Sequence, residues 1–340
     1  MIEAESLDLT LESEYKGLLR AFLENKSEQD LYKAQQYSKR LLEKQISPED
    51  MVSLHYAVLE EMFDDLSSDI KESFSFLLEI MVGYGLAYRE HQSLRDKQLE
   101  LEMQIDVAAN MQQTLLPKEI PQMQDVDIGV ISVPAGKMSG DYYYCVKNES
   151  GQLAVAIADI IGKGIPAAMC MSMIKYAIDS MPAYTLEPST LLNNLNRVVE
   201  QNIDPSMFIT MMYGSYDTND HSFVYSGAGH EPGFYYSAKQ DRFTDLYAKG
   251  LVLGVSNNTN FREYKLEVNV GDVIVLLSDG VTECRIGDHF IEREEITALL
   301  RRYIHLTAQE IVEKIYDDLA QLQDFSLNDD FSMIVIRRKV

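Results

Sequence analysis

Four aspartates between positions 141 and 329 stand at the ends of apolar segments, each of which is predicted to form a strand. They are Asp141 (before 142–146), Asp159 (after 153–158), Asp279 (after 273–278) and Asp329, which precedes Asp330 and the run 331–336. Where strand ends meet, carboxylates repel one another and lose hydration unless a cation holds them together. Oxygen ligands without a Cys or His cluster suit Mg²⁺ or Mn²⁺ rather than Zn²⁺. The placement therefore predicts a divalent-cation site built from these carboxylates.

A simpler explanation exists for each aspartate taken alone, because an Asp beside a Gly after a strand is a common turn residue. The chain contains 54 acidic residues, so such coincidences are expected. Turn chemistry does not explain why the same strand-end placement recurs within one region of the chain. We therefore take the cation site as the hypothesis and turn formation as its alternative.

The segment 153–164 indicates how the chain would position such a carboxylate. Bulky residues at its odd positions alternate with alanines, which predicts a strand packed on both faces. Asp159 follows this strand, and Gly162, Gly164 and Pro166 then predict a tight turn and a helix start. Although Gly162-Lys163-Gly164 is rich in glycine, the chain contains no G-x-x-x-x-G-K-[ST] motif, which argues against a P-loop.

The length of the chain, 340 residues, predicts two domains, and its composition limits the function classes. A net charge of -24 argues against binding to nucleic acid or to an anionic membrane, because both require basic patches. We expect no signal peptide and no membrane span, because no apolar run reaches spanning length. The separated cysteines Cys145, Cys170 and Cys284 have apolar surroundings, which predicts buried thiols in a reducing cytoplasm.

The spacing of apolar residues changes along the chain. It predicts an all-helical domain at 1–84, a helical coiled-coil linker at 85–120 and a catalytic domain at 121–340. In the first domain, Ser27 and Ser47 precede acidic residues and predict helix starts. No proline occurs between 73 and 115, where a heptad seam can be traced. The seam comprises Ile80, Tyr84, Ala87, His91, Leu94, Gln98, Leu101, Ile105, Ala108, Gln112 and Leu115.

The seam allows two interpretations. The helix could lie on its own domain, or it could pair with a second copy as a parallel two-stranded connector in a homodimer. We favour the homodimer, because the seam is narrow and charged residues such as Arg95, Asp96 and Lys97 flank it. Polar residues such as Gln98 within the seam would lower the stability of the pairing, so the coiled coil could act as a switch.

After Pro121 the sequence changes to short apolar runs separated by turns, which predicts an α+β fold with many antiparallel strands. Predicted strands are 126–133, 141–147, 152–159, 207–216, 222–228, 232–237, 263–268, 272–278 and 331–338. Predicted helices are 165–181, 188–202, 292–302 and 307–322. His230 lies in a loop of this region and is a candidate acid or phosphate contact, although a turn-stabilising role fits equally well.

Five motifs in this region resemble, in order and spacing, those of the bacterial SpoIIE-like branch of the PPM (type-2C) serine/threonine phosphatases. They are Ser139-Gly140-Asp141, Ala158-Asp159-Ile160-Ile161-Gly162-Lys163-Gly164, Ala228-Gly229-His230-Glu231-Pro232, Ser278-Asp279-Gly280 and Asp329-Asp330-Phe331-Ser332. The resemblance implies an αββα sandwich with a two-metal centre, holding Mn²⁺ or Mg²⁺, at one edge. It also implies hydrolysis of a phosphoserine by in-line attack of an activated water, without a phosphoenzyme.

The same resemblance implies roles for individual residues. The catalytic metal ligands would be the side chains of Asp141, Asp159, Asp279 and Asp329 and the backbone carbonyl of Ile160. Asp159 would bridge the two cations. Many eukaryotic relatives have Gly at the position of Ile160, but a carbonyl ligand depends little on its own side chain. Asp330 is expected to be structural.

The first domain resembles the helical amino-terminal domain of phosphatases of the general stress (sigma-B) pathway. This implies a phosphorylated STAS-domain anti-anti-sigma factor (RsbV-like) as substrate and an RsbT-like switch kinase, docking on 1–84, as activator. Docking is expected to be relayed through the 84–115 helix to the Asp159 loop. Two alternatives stay open: a phosphatase of the same fold with another STAS-type target, and a non-catalytic protein of this fold that binds its partner without turnover.

Overall fold

The computed structural model describes residues 2–44, 46–148, 151–162, 164–181, 187–204, 207–286, 289–323, 325 and 327–340, without the side chains of 2–10, 42, 43 and 286. The helices are α1 Ile2–Asn25, α2 Glu28–Glu43, α3 Pro48–Met62, α4 Ser68–Gln113, α5 Ile165–Asp179, α6 Pro188–Asn202, α7 Asp279–Thr282, α8 Arg293–Tyr303 and α9 Ala308–Leu322. The strands are β1 Val126–Val133, β2 Asp141–Lys147, β3 Leu153–Ile160, β4 Ile209–Asp217, β5 Ser222–Ala228, β6 Gly233–Ser237, β7 Arg242–Leu246, β8 Tyr264–Glu267, β9 Val273–Leu277, β10 Arg285–Ile286, β11 His289–Phe290 and β12 Phe331–Arg338. Within these residues, no helix combines the length and the apolarity that a membrane crossing requires.

The chain divides into two compact units, Met1–Leu101 and Glu102–Val340, and the first is helical as predicted. In its small core, the Tyr37 hydroxyl of α2 donates to the Leu11 carbonyl oxygen of α1 (2.9 Å). α3 begins at a predicted cap, where Ser47 Oγ accepts from the Asp50 amide (3.1 Å) and the Asp50 carboxylate accepts from the Ser47 amide (3.3 Å). This reciprocal pair fixes the start of α3, because it satisfies amides that have no partner within the helix.

α4 is continuous from Ser68 to Gln113, close to the range predicted for the long helix. The boundary between the two units falls inside it, after Leu101, so its last turns belong to the second unit. Several apolar residues of the predicted seam are exposed in the single chain, including Leu94 (60%) and Leu101 (59%). Gln112 differs from them, because it is buried.

The described part of the second unit contains two five-stranded sheets, with strand orders β1-β12-β9-β6-β7 and β2-β3-β4-β5-β8. Apolar side chains of both sheets, such as Ile157 and Ile334, form the core between them. α5 and α6 cover the sheet that contains β3, and α8 and α9 cover the sheet that contains β12. The layers are therefore helix, sheet, sheet and helix, which confirms the predicted αββα sandwich.

β3 shows the structural meaning of the alternating pattern in the sequence. Leu153, Val155 and Ile157 face the core between the sheets, whereas the alanines that alternate with them face the core beneath α5 and α6. Because alanine is small, the two helices can approach this strand closely while the bulkier residues fill the space between the sheets. The strand is buried on both faces, as predicted, and it brings Asp159 to the edge of the sandwich.

All predicted strands and helices of the second unit are present, with ends shifted by no more than two residues. The sequence analysis missed β7, the short helix α7 and the hairpin of β10 and β11. β7 is an edge strand whose side chains are mostly exposed, so it lacks the apolar alternation that reveals a buried strand. The other missed elements are only two to four residues long and leave no periodic signal.

Candidate metal centre

Two of the predicted ligands, Asp141 and Asp159, form a cross-strand pair. Asp141 is the first residue of β2 and lies directly opposite Asp159 of β3. The Ser139 hydroxyl oxygen accepts from the Asp141 amide (3.0 Å), so a local turn fixes the start of the strand. Asp141 is buried, with 2% exposure, and its Oδ2 has no hydrogen-bond partner among the described residues.

Burial raises the pKa of the Asp141 carboxyl well above its usual range. Contacts with the Ser278 and Ser332 hydroxyls counteract this rise, whereas the charges of Asp159 and Asp330 add to it. The charged form of Asp141 is therefore unfavourable unless positive charge lies close to it.

The other two predicted ligands, Asp279 and Asp329, belong to the opposite sheet. β9 and β12 are antiparallel neighbours with Leu277 opposite Met333, so the residues after β9 meet the residues before β12. Asp279 begins α7 directly after this point, and Asp329 stands two residues before β12. Burial raises the pKa of Asp279, and the neighbouring charge of Asp329 raises it further. The two sheets thus each bring one pair of carboxylates to their ends.

Asp330 joins the two sheets at this edge. Its Oδ1 accepts from the Ala135 amide (2.7 Å) and its Oδ2 accepts from the Gly140 amide (2.6 Å). Because Gly140 precedes Asp141, this carboxylate holds the start of β2 beside the start of β12, where Asp329 lies. Asp330 therefore has the structural role that was predicted for it.

Close backbone approaches explain why two motif positions are glycines. A Cβ on Gly140 would lie 3.0 Å from the Ile160 carbonyl oxygen and 3.2 Å from Asp159 Oδ1. A Cβ on Gly280 would clash with the Asp330 carbonyl oxygen. The Ile160 amide also donates to the Gly140 carbonyl oxygen (3.1 Å). The backbone at Gly140 therefore packs against residues 159 and 160, and the backbone at Gly280 packs against Asp330. The Ile160 carbonyl and the Asp159 carboxylate both lie next to Gly140.

The residues present fit a hard divalent cation. They offer carboxylate and carbonyl oxygens, which Mg²⁺ and Mn²⁺ prefer, and the buried Asp141 Oδ2 is an acceptor to which no described residue donates. Within the described ranges, no group of three or more His, Cys, Asp or Glu side chains is arranged to hold a metal ion. The assignment of Asp141, Asp159, Ile160, Asp279 and Asp329 as ligands therefore stays a prediction.

Comparison with known proteins agrees with the motifs. The family described as Stage II sporulation protein E (SpoIIE) matches residues 149–339, and the family described as Phosphoserine phosphatase RsbU, N-terminal domain, matches residues 13–87. Phosphoserine phosphatase RsbU of Bacillus subtilis (strain 168) is 53% identical over 330 residues, which cover 97% of this chain and 98% of that protein. The chain belongs to the RsbU family of SpoIIE-type serine/threonine phosphatases.

Solved structures share the fold of this RsbU-family chain. The SiaA-PP2C domain of Pseudomonas aeruginosa matches with a TM-score of 0.61 and 16% identity, covering 71% of this chain and 98% of that one. The PP2C phosphatase domain of SpoIIE from Bacillus subtilis, with a fragment of its regulatory domain, matches with a TM-score of 0.51 and 20% identity, covering 63% and 62%. At these identities the likeness concerns the fold alone, and it confirms the phosphatase sandwich.

His230 has a structural role in this member of the RsbU family. Its Nε2 lies 3.2 Å from the Leu277 carbonyl oxygen, and its Nδ1 lies 2.8 Å from Thr210 Oγ1. Since the carbonyl can only accept, Nε2 carries the hydrogen and Nδ1 accepts from the Thr210 hydroxyl. Burial lowers the pKa of His230 to about 4. Of the two roles considered from the sequence, the turn-stabilising one agrees with these contacts, because neither ring nitrogen is left for a substrate.

Three polar side chains of this RsbU-family chain support the ligand loops and were not predicted to do so from the sequence. Ser278 and Ser332 contact Asp141 from the opposite sheet, and the Ser332 amide donates to Ser278 Oγ (3.1 Å). Gln112 was assigned only to the coiled-coil seam, but its side chain binds the Ser139 backbone. The one sequence feature that could have indicated this contact is that Gln112 is a polar residue within a largely apolar seam. The serines lie inside motifs, but the sequence does not reveal contacts across the sandwich.

A cavity of about 330 Å³ opens beside Asp329 in the second unit. The hairpin of β10 and β11 contributes Arg285 and Phe290 to its wall, and the Arg285 guanidinium lies over the Phe290 ring, 4.9 Å from the centroid. Glu283 also lines the cavity, and burial, followed by the charges of Asp279 and Asp329, raises its pKa. The wall of this cavity thus combines the Glu283 and Asp329 carboxylates with the Arg285 guanidinium.

Proposed function

We propose that this RsbU-family phosphatase uses two Mn²⁺ or Mg²⁺ ions to hydrolyse phosphoserine in a STAS-domain protein. The proposed ligands are Asp141, Asp159, the Ile160 carbonyl, Asp279 and Asp329. The observation that carries the proposal is that each sheet brings one pair of carboxylates to its end, at an edge where Asp330 connects the two sheets. Carboxylates gathered in this way are stabilised by divalent cations.

The reaction requires an activated water and compensation of phosphate charge, and bound divalent cations supply both by lowering the pKa of a water and polarising phosphoryl oxygens. The contribution of the chain is to hold the ligands in place before substrate arrives. The ladder between β2 and β3 fixes the pair of Asp141 and Asp159, and two backbone amides fix Asp330. Such preorganisation means that little rearrangement is needed during the reaction.

The thiols of the chain do not favour a covalent route. Cys145, Cys170 and Cys284 are all free and buried, as predicted. Burial raises the pKa of Cys145 to about 12 and the pKa of Cys284 to about 11. Thiols with such pKa values carry almost no thiolate at neutral pH, so they are poor nucleophiles. This supports direct attack of water on phosphorus, without a cysteinyl intermediate.

We assign the cavity beside Asp329 to the substrate. A phosphoserine carries about two negative charges at neutral pH and needs positive charge near its path. Of the described residues that line this cavity, Arg285 is the basic one, and its stacking on Phe290 restricts its orientation. Arg285 would therefore attract the phosphate or an acidic neighbour of it toward the carboxylate edge.

The substrate and the regulation are proposed from the family. The substrate would be a phosphorylated STAS-domain anti-anti-sigma factor (RsbV-like) in the cytoplasm, and the activator would be an RsbT-like switch kinase that docks on residues 1–84. The exposed apolar residues of α4, such as Ile80, Leu94 and Leu101, support a parallel homodimer through this helix.

The test is the dephosphorylation of a phosphorylated STAS-domain protein by the full-length chain, after chelation and after addition of Mn²⁺. We expect activity only with the cation, and a decrease in kcat of at least about 100-fold for Asp159→Asn and Asp279→Asn. Asp317→Asn, at an exposed position on α9, is the matched control and should keep wild-type activity.

Activity that survives chelation, or that survives both site substitutions, would contradict the metal mechanism. Hydrolysis of other phosphoserine proteins but not of the STAS-domain protein would reject the substrate and keep the enzyme class. For the activator, a kinase-dependent increase in rate should disappear when residues 1–84 are removed. An unchanged response of that truncated chain would contradict docking on the helical domain.

A further inference from the structure

Gln112, near the end of α4, binds the backbone of the loop that carries Asp141. Its Oε1 accepts from the Ser139 amide (2.9 Å), and its Nε2 donates to the Ser139 carbonyl oxygen (2.6 Å). The residue is buried, with 5% exposure. A single side-chain amide thus satisfies both backbone groups of Ser139, which fixes the position and the orientation of this peptide segment.

The residues that follow Ser139 are held by other parts of the second unit. The Gly140 amide donates to Asp330, and the Gly140 carbonyl oxygen accepts from the Ile160 amide. The Asp141 amide donates to Ser139 Oγ, so the position of Asp141 depends directly on Ser139. The loop is therefore fixed from two sides, by the sandwich at Gly140 and by α4 at Ser139.

A second contact connects α4 to the same loop. Lys137 Nζ lies 2.6 Å from Asp106 Oδ1, and both side chains are more than half exposed. Because solvent screens such a pair, it contributes little to the attachment. The buried amide of Gln112 is the stronger connection, because loss of Gln112 would leave two backbone groups of Ser139 without partners.

We propose that Gln112 is a positioning residue through which α4 sets the cation affinity of the metal centre. By holding Ser139 it places Asp141, and a movement of α4 that withdraws the amide would release the ligand loop. The sequence analysis predicted a relay to the Asp159 loop, whereas the contact described here leads to the Asp141 loop. The inference rests on the proposed metal-dependent function, because it concerns the affinity of those ligands for a cation.

The experiment compares the full-length wild type with Gln112→Met and Gln112→Glu. Methionine keeps the length and the burial but removes both hydrogen bonds. Glutamate keeps the shape and one acceptor but removes the donor to the Ser139 carbonyl oxygen. Gln113→Met changes the same residue type at the next, exposed position of the helix and is the matched control.

Two readouts are measured. The first is hydrogen exchange of the Ser139 amide in the metal-free protein, which we expect to be about tenfold faster in Gln112→Met and unchanged in Gln113→Met. The second is the Kd for Mn²⁺ by titration calorimetry, which we expect to rise about tenfold in both Gln112 variants. With saturating Mn²⁺, the KM for the phosphoprotein should stay at the wild-type value, because Gln112 does not touch the substrate side.

A Gln112 variant that is folded and binds Mn²⁺ as tightly as wild type would overturn the inference, even if its thermal stability had fallen. If Gln112→Met does not fold, Gln112→Glu decides the question, because it preserves the packing. Failure of the wild type itself to bind Mn²⁺ would instead contradict the proposed function. The two failures are therefore distinguishable.

Discussion

His230 donates from Nε2 to the carbonyl oxygen of Leu277 at 3.2 Å, and this bond connects the loop after β5 to β9 in the opposite sheet. The other ring nitrogen is occupied by Thr210, which lies opposite Asp159 in the ladder between β3 and β4. A neutral imidazole is required for this arrangement, because Nδ1 must accept a hydrogen. The histidine therefore supports the edge at which the carboxylates meet, from a position between the sheets.

The first prediction concerns the pH dependence of stability that His230 causes. Its pKa is lowered from 6.5 to about 4 by burial, so between these values the unfolded histidine binds a proton that the folded one does not. The stabilisation by the neutral ring is fully present above the unfolded pKa and is lost as the pH falls through this window. The loss amounts to about 3 kcal/mol.

Urea denaturation above and below this pH window measures the effect. The variant His230→Gln should lose about 3 kcal/mol less than wild type as the pH falls. His305→Gln, at an exposed position, should retain the wild-type pH dependence. An equal pH dependence in His230→Gln and wild type would show that the histidine is not held in its neutral form.

The second prediction concerns the cost of burying Asp141. Because its pKa is raised, the protonated carboxyl favours folding at low pH, and this contribution is lost as the pH rises through the folded pKa. Asp141→Asn should therefore increase the free energy of unfolding at neutral pH by about 1–2 kcal/mol in the metal-free protein.

With Mn²⁺ added, wild type should become more stable than Asp141→Asn. The free energy of unfolding of wild type rises by about 2.7 kcal/mol at a cation concentration 100 times the Kd, whereas the variant has lost a ligand. Thermal unfolding with chelator and with Mn²⁺ measures both effects. Asp317→Asn should follow wild type in the two conditions. If Asp141→Asn is as strongly stabilised by Mn²⁺ as wild type, Asp141 is not a ligand.

The third prediction concerns the close approach at Gly140. An added methyl group in Gly140→Ala would meet the Ile160 carbonyl oxygen at 3.0 Å and Asp159 Oδ1 at 3.2 Å, so these two predicted ligands must move by a few tenths of an ångström. We expect kcat to decrease at least about tenfold, because small displacements of positioned groups have large effects on rate. Gly136→Ala is the control, since no atom of the described residues lies within 4 Å of its added Cβ. If the two variants have similar kcat values, Asp159 and the Ile160 carbonyl are not metal ligands.

The fourth prediction concerns the substrate side. Arg285→Ala should raise the KM for the phosphoprotein about three- to tenfold and change kcat little, because the arginine is proposed to attract the substrate rather than to take part in the reaction. Arg302→Ala is a matched control, because its guanidinium also lies over an aromatic ring, that of Tyr303 (5.8 Å). An unchanged KM in Arg285→Ala would exclude this cavity as the approach for phosphoserine.

The layers of the catalytic unit could be predicted from sequence because the informative signals are local. Alternation in 153–158 determines both faces of β3, and the apolar run before Asp279 determines β9. Since each aspartate is adjacent to such a run, finding the strands also located the carboxylates. The pairing of Asp141 with Asp159 needed only the antiparallel order of two strands that are neighbours in the chain.

Contacts between distant parts of the chain could not be predicted in this way. The partners of His230 lie 20 and 47 residues away, and Ser139 lies 27 residues from Gln112. No local pattern marks these pairs, because each is created by the packing of layers and not by the periodicity of one element. The role of His230 therefore stayed open, and Gln112 was interpreted only as an interruption of the coiled-coil seam.

The second compact unit begins at Glu102, within α4, and the start of the catalytic domain at residue 121 stays a prediction. A phosphatase fragment that starts at residue 121 would lack Gln112. The backbone amide and carbonyl of Ser139 would then form hydrogen bonds with water instead of the Gln112 side chain. Low activity of such a fragment would then reflect a loosened ligand loop, and it would be wrong to attribute the loss to the missing regulatory domain. Fragments that start at Glu102 keep this connection and are the proper reference for studying what residues 1–101 add.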